Sequence, residues 1–216
     1  MRVIIPYRRD LNNGRELRYA IRSMYKYFTP ISGVLLIGDR PRWYKGDHLP
    51  VKHISHKESD IINKILQCPD EHFLFCMDDN FALQPFDETL PLMYEGPLQG
   101  RKEKGKYKTR IDNVLSVYPD GYFYDIHVPH IINRYAYHSS LPDDWRTREY
   151  LCKSLYGNFM RVYYRLSASH AQVTDYKISS KESLTVDTAQ PFFSTIDYLA
   201  GKIKFEMLYP EPSPHE

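Results

Sequence analysis

The sequence predicts an α/β domain: a mixed, mainly parallel sheet flanked by helices, with a less regular second half. Three observations lead there. Short apolar runs alternate with amphipathic helical patterns over the first eighty residues, the arrangement that builds βαβ units. Those runs are nearly continuous rather than alternating, as expected of strands covered on both faces. Finally, the apolar run His72-Phe73-Leu74-Phe75-Cys76-Met77 passes directly into Asp78-Asp79-Asn80, which places two adjacent carboxylates where a buried strand ends. In α/β sheets the carboxyl ends of strands are where ligands bind.

The elements follow in order. Residues 2 to 6 form a short β-branched run, Val3-Ile4-Ile5, stopped by Pro6, a first strand. A polar turn leads to a helix from Arg15, with Leu17, Ala20, Ile21, Met24 and Phe28 at helical spacing and Asn12 or Asn13 as N-cap. Gly33 to Ile37 is a second strand ending in Gly38-Asp39, and Val51 to Ile54 a shorter third. Ser55-His56-Lys57-Glu58 has the form of a capping box, opening a helix through Ile61, Ile62, Ile65 and Leu66 that Pro69 ends. The apolar strand at 73 to 77 comes next.

Gln99 to Arg110 carries six positive charges, one negative charge and two glycines, and reads as an exposed mobile loop, a lid or a guide for an anionic ligand. Beyond it the patterns predict a short strand over Tyr122 to Val128 and a helix from about Arg148 to Tyr163. They predict a further strand over Gln172 to Ile178 and a further helix over Pro191 to Leu199. Gly157 interrupts the helical pattern at a cost of roughly 1 kcal/mol relative to alanine, which calls for a close approach or a ligand contact there. The proline-rich stretch from Tyr209 to Pro214 has too few backbone donors for regular structure.

The 216 residues suffice for one substantial core, a single domain over 1–216. A net charge of +2 excludes a protein that works by blanket attraction to nucleic acid, while leaving room for a local basic patch. Nineteen tyrosines supply flat faces and hydroxyls of the kind that line base and sugar sites, and that also fill cores. Cys68, Cys76 and Cys152 are odd in number and widely spaced, so neither a disulfide framework nor a zinc motif is indicated and a reducing compartment fits. The opening Met1 to Pro6 is too short for a signal peptide, and no segment approaches the roughly 18 apolar residues of a membrane span. A cytosolic protein is expected; nothing specifies its oligomeric state.

In a parallel sheet, the polar residues that follow the strands share one edge. Tyr7-Arg8, Asp39, His56-Lys57 and Asp78-Asp79 thus converge. Arg8 and Lys57 suit phosphate, Asp39 suits a ribose or base, and the two aspartates suit a hard cation, Mg²⁺ or Mn²⁺, that would hold phosphates in turn. No glycine-rich phosphate loop follows the first strand, so the P-loop and the usual dinucleotide fingerprint are excluded. In Tyr124-Asp125-Ile126-His127-Val128-Pro129, strand alternation would point Asp125 and His127 the same way. Asp143-Asp144, after Pro142, reads as a turn.

Pro6-Tyr7-Arg8 ending the first strand, Asn13-Gly14-Arg15-Glu16-Leu17-Arg18-Tyr19 opening the helix, Ile37-Gly38-Asp39 ending the second strand, and the apolar strand into Asp78-Asp79-Asn80 resemble nucleotide-sugar glycosyltransferases of the GT-A fold. The likeness covers residues 1 to 85 and is nearest to small bacterial or phage-type members; it extends more distantly to the sugar-phosphate transferases of capsule synthesis. The stretch from Leu208 to Glu216 also looks like the ending of phage-type members, which implies a complete chain.

The resemblance implies a hexosyltransferase in which residues 1–95 bind the nucleotide-sugar donor and 96–216 form the acceptor side. Asp78-Asp79-Asn80 would stand for the family's Asp-x-Asp motif. Asp78, Asp79 and His127 would hold Mn²⁺ or Mg²⁺, and Pro6, Tyr7, Arg8, Asp39 and Lys57 would join Asp78 in holding the donor. Asp125 would serve beside Asp79 as a catalytic carboxylate, deprotonating a hydroxyl acceptor. The basic segment admits an anionic acceptor, including DNA with hydroxymethylated bases in a phage-infected cell, or a glycan. Transfer of a sugar 1-phosphate through the same site is the alternative. A non-catalytic nucleotide- or glycan-binding module is the rival of another class.

Overall fold

The computed structural model describes residues 1–9, 13–165, 169–178, 186–195 and 205–216. Its centre is a five-stranded sheet in the order β3-β2-β1-β4-β7. These strands are β1 (Arg2–Tyr7), β2 (Gly33–Gly38), β3 (Asp47–Leu49), β4 (His72–Phe75) and β7 (His130–Asn133). The first four run parallel, and β7 pairs antiparallel to β4 with Phe75 opposite His130. Helices α1 (Arg15–Tyr27), α2 (Lys57–Leu66), α3 (Gly105–Val117), α4 (Arg134–Ser139) and α5 (Cys152–Tyr163) join them. Two small sheets complete the fold. One orders β5 (Phe81–Ala82), β10 (Phe192–Thr195) and β9 (Lys177–Ile178); the other pairs β6 (Leu92–Tyr94) with β8 (His170–Gln172).

The mainly parallel α/β architecture is thus the one the apolar runs predict. Val3, Ile4, Ile5, Val34, Leu36, Ile37, Phe73, Leu74 and Phe75 are all fully buried, and burial of such side chains contributes roughly 1.5–3 kcal/mol each. A second cluster gathers Tyr19, Ala20, Phe81, Phe193, Phe205 and Tyr209 on the far face of α1. Among the described residues no helix is long and apolar enough to cross a membrane.

Pro6 shapes the centre. On its β4 side, β1 pairs only through Val3 and Ile4, and the ladder closes with the Cys76 amide donating to the Ile4 carbonyl at 3.0 Å. Pro6 has no amide hydrogen with which to carry it further. The strand therefore ends at Phe75, two residues short of the predicted Met77, and the chain turns away from the sheet just before Asp78.

Other departures have local causes. The predicted strand at 51 to 54 is absent; the strand lies at Asp47–Leu49, before Pro50, and the Ile54 amide instead donates to Asp60 Oδ1 at 2.8 Å. Asn13 does not cap α1: Gly14 occupies the N-cap at φ 70°, and Asn12 lies outside the described residues. The capping box does not form either, because α2 starts from His56 with no side-chain cap and Glu58 is turned inward and buried.

The basic segment is only partly a loop, since residues from Gly105 onward are the first turns of α3. Tyr122 to Val128 forms no regular strand. Two of its amides are taken by side chains of α5, with Tyr122 N–H donating to Asn158 Oδ1 at 2.8 Å and Tyr124 N–H to Ser154 Oγ at 3.0 Å. Helix α5 begins at Cys152 rather than Arg148, because the preceding residues are tied to α3: Arg148 Nε donates to Asn113 Oδ1 at 2.7 Å and Asn113 Nδ2 to the Glu149 carbonyl at 2.6 Å. Strand pairing over 172 to 178 is confined to its two ends, in β8 and β9. The helix predicted from Pro191 is instead β10, all four of whose residues are buried; residues 196–199 of that segment lie outside the described residues. The proline-rich tail is irregular, as predicted, and is clamped on α1 by Arg22, whose Nε and Nη2 each donate to the Glu216 carboxylate at 2.6 Å.

Gly157 has the close approach its position called for. A Cβ there would overlap the ring of Tyr124, which is fully buried and pinned through its hydroxyl to His170 Nδ1 at 2.9 Å. Gly157→Ala should therefore destabilise the protein by about 2 kcal/mol in urea denaturation. A gain in stability, as helix propensity alone would give, would show that the ring yields freely.

Candidate active site

The turn after β4 is built around Asn80, which is fully buried. Its Oδ1 accepts from the Met77 amide at 3.0 Å and its Nδ2 donates to Asp79 Oδ1 at 3.2 Å, so the third residue of Asp78-Asp79-Asn80 fixes the second. Asp79 Oδ2 then lies 3.8 Å from His127 Nε2, each side chain about a quarter exposed. His127 is itself held from behind. Asp175 Oδ2 meets its Nδ1 at 2.7 Å and Asp175 Oδ1 accepts from its backbone amide at 3.0 Å. Burial works to raise the Asp175 pKa, but the His127 contacts prevail and hold it below the usual carboxylate value. With Nδ1 engaged by a carboxylate, Nε2 is presented toward Asp79, with Lys177 Nζ 3.3 Å away.

Asp79 and His127 line a cavity of about 440 Å³. Of the other residues singled out in the sequence, Lys57 and Asp125 line it too, whereas Pro6, Tyr7, Arg8, Asp39 and Asp78 do not. Pro6 and Tyr7 are buried within β1, and Arg8 is exposed just beyond it. Asp39 accepts from the Arg9 amide at 2.7 Å and lies 3.1 Å from His53 Nε2. Burial raises its pKa, but those partners outweigh it and leave Asp39 below its ordinary value. One sheet edge thus carries two groups of polar residues, one at the end of β2 and one inside the cavity.

The cavity also holds residues that the sequence did not single out individually, three of them from the basic segment read as a lid or guide for an anionic ligand. Glu58, Arg101, Tyr107, Arg110, Cys152, Lys153, Asp175 and Lys177 all line it. Glu58 was hidden by its fit to a capping box, and Asp175 sits in no recognisable motif; the cationic members lay in segments read as loop, helix or strand. Ligand atoms of Glu58, Asp125 and Cys152 lie within 4.8 Å of one another. The three meet at the N-terminus of α5, where unpaired amides attract negative charge. Asp125 accepts there from Ser154 N–H at 2.8 Å, Ser154 Oγ at 2.5 Å and Lys153 N–H at 3.3 Å, with Cys152 Sγ at 3.8 Å. Lys153 Nζ, buried, donates to the carbonyls of Ile126 and Val128, which stitches the His127 segment to α5.

Glu58 differs from Asp125 in its surroundings. Burial pushes its pKa up to about 7, the nearby Asp125 charge adds to that, and Arg110, Lys57 and the Cys152 amide offset only part of it. Arg110 Nη1 lies 3.3 Å from Glu58 while its Nε donates to Glu149 at 2.5 Å, so the guanidinium is shared between two carboxyls. Burial likewise raises the Cys152 thiol well above its usual range, with Glu58 and Asp125 contributing.

The folded state therefore binds the Glu58 proton more tightly than the unfolded chain does. Between the ordinary value of 4.5 and about 7 the native state holds the extra proton, so stability should fall as pH rises through that window. The loss should be on the order of 3 kcal/mol. Urea denaturation of the parent and of Glu58→Gln at pH 5 and pH 8 should show the variant gaining on the parent at the higher pH; a pH-independent difference would contradict the shifted carboxyl.

No protein-family model and no curated protein sequence matches the chain. Among solved structures it is similar to the galactosyltransferase LgtC in complex with donor and acceptor sugar analogues: 12% identity, 100% of this chain and 98% of that chain covered, TM-score 0.48. An active-site mutant of LgtC matches at 10% identity over the same shares, with a TM-score of 0.44. The glycosyltransferase GlyE of Streptococcus pneumoniae TIGR4 matches at 12% identity and a TM-score of 0.39 over 98% of this chain, which spans 51% of that protein.

Proposed function

We propose that this chain is a metal-dependent glycosyltransferase of the GT-A type, moving a hexose from a nucleotide-sugar donor to a hydroxyl acceptor. The observation that carries the reading is the facing pair of Asp79 Oδ2 and His127 Nε2 at the carboxyl edge of a parallel sheet, with Asp175 orienting the imidazole. A carboxylate oxygen and an imidazole nitrogen whose other nitrogen is engaged by a second carboxylate form a donor set suited to Mn²⁺ or Mg²⁺. Asp79 and His127 would hold the ion, with Asp78 from the same turn. When bound, the ion would supply positive charge against the departing diphosphate.

The remaining roles belong to the chain itself. Asn80 keeps Asp79 in place, and Lys57 lies on the cavity wall where it can neutralise a phosphate. Arg8 and Asp39, backed by the buried Pro6-Tyr7 end of β1, would receive the nucleoside, which divides the protein into a donor half over 1–95 and an acceptor half over 96–216. Five cationic side chains, Lys57, Arg101, Arg110, Lys153 and Lys177, stand among six acidic ones, Glu58, Asp79, Glu95, Glu103, Asp125 and Asp175, around the cavity, which suits a substrate with both charged and hydroxyl-bearing parts.

Thermal shifts with UDP, GDP, dTDP and CDP, each with and without Mn²⁺, test this. One nucleoside diphosphate should raise the melting temperature in a Mn²⁺-dependent way, since a ligand of the native state stabilises it by mass action. Asp79→Asn should weaken that binding at least tenfold by calorimetry. Undiminished Mn²⁺-dependent binding in the variant would remove Asp79 from the metal site.

A further inference from the structure

We propose that Glu58, on the first turn of α2, is the residue that takes the proton from the acceptor hydroxyl. The assignment rests on the transferase reading above and replaces Asp125 in that role.

The two deep carboxyls of the cavity are distinguished by their hydrogen bonds. A carboxylate has about four acceptor positions. Those of Asp125 meet three donors of the first turn of α5, the amides of Lys153 and Ser154 and the Ser154 hydroxyl, with the Cys152 thiol at 3.8 Å, so this side chain works as an anchor for a helix end. Glu58 lines the same cavity with fewer fixed partners: Arg110 at 3.3 Å, the backbone amide of Cys152, and a share of the one thiol proton of Cys152 that also faces Asp125. More acceptor capacity therefore remains on Glu58 than on Asp125. A base whose pKa lies near the working pH moves protons most effectively.

The groups around Glu58 are consistent with this. Lys57 precedes it on α2, Arg110 and Tyr107 face it from α3, Asp125 and Cys152 approach from the α5 side, and Tyr137 senses it from α4. Burial raises the Tyr107 and Tyr137 hydroxyls far from neutrality, with Asp125 and Glu58 adding to it. Burial does the same to the thiol. Among the described neighbours of Glu58, none of these three can serve as base near pH 7.

In the step itself the acceptor oxygen bonds to the anomeric carbon of the donor sugar as its O–H proton passes to the Glu58 carboxylate. The bond from that carbon to the diphosphate oxygen breaks with its electron pair staying on the diphosphate. Arg110, already shared between Glu58 and Glu149, can follow the charge as Glu58 becomes neutral.

The test uses the full chain, Mn²⁺, and release of nucleoside diphosphate from a panel of UDP-, GDP- and dTDP-hexoses with water as acceptor. Glu58→Gln should lower kcat at least 100-fold while nucleoside diphosphate binding by calorimetry stays within twofold, which also shows that the variant is folded. The parent's rise in kcat/KM centred near pH 7 should be absent from the variant's residual activity, and Glu58→Asp should recover part of both. A Glu58→Gln enzyme within threefold of the parent, or one that keeps the same rise, would overturn the assignment and leave the transferase reading intact. A parent that releases nucleoside diphosphate from no donor would overturn the two together.

Discussion

The site depends on the anchoring of the α5 N-terminus by Asp125. A helix end left bare in a protein interior exposes several amides, and here the side chain of the N-cap, Leu151, offers nothing to them. A carboxylate from the preceding irregular segment fills the gap. One interaction thereby stops Tyr122 to Val128 from drifting as a loop, holds His127 two residues further on, and brings a negative charge beside Glu58. Lys153 reinforces it from the same turn by bonding back to the Ile126 and Val128 carbonyls.

The central sheet needs nothing so indirect. Parallel strands covered on both faces declare themselves through apolar runs, and β1, β2 and β4 were legible because Val3 to Ile5, Val34 to Ile37 and Phe73 to Phe75 leave no polar alternative. β3 was not, because its Asp47-His48-Leu49 carries one apolar residue, while the more convincing Val51 to Ile54 comes after Pro50 and is drawn toward α2 by Asp60. The same limit explains β10, where Phe192-Phe193 serves helix and strand alike and pairing with β5 decides.

The candidate site was legible in proportion to how local its signals are. Asp79 follows an apolar run bounded by charge that reads as a buried strand, and His127 stands close enough to Asp125 for the pair to be noticed. Asp175, 48 residues from His127, has no local signal at all. Glu58 carried a misleading one, since Ser-x-x-Glu describes a helix start well whether or not the glutamate bends back to cap it. Burial decided that question, and burial depends on where α3 and α5 dock.

Asn80 has a consequence for which substitutions its turn can accept. Because its amide frames Asp79 and the Met77 backbone, the third residue of Asp78-Asp79-Asn80 belongs to the scaffold of the turn. An aspartate there would bring a like charge against Asp79 and lose the amide donor that steadies it. The position therefore asks for a side chain able to close the turn, and an added carboxylate there would loosen the loop that presents Asp79 to the cavity.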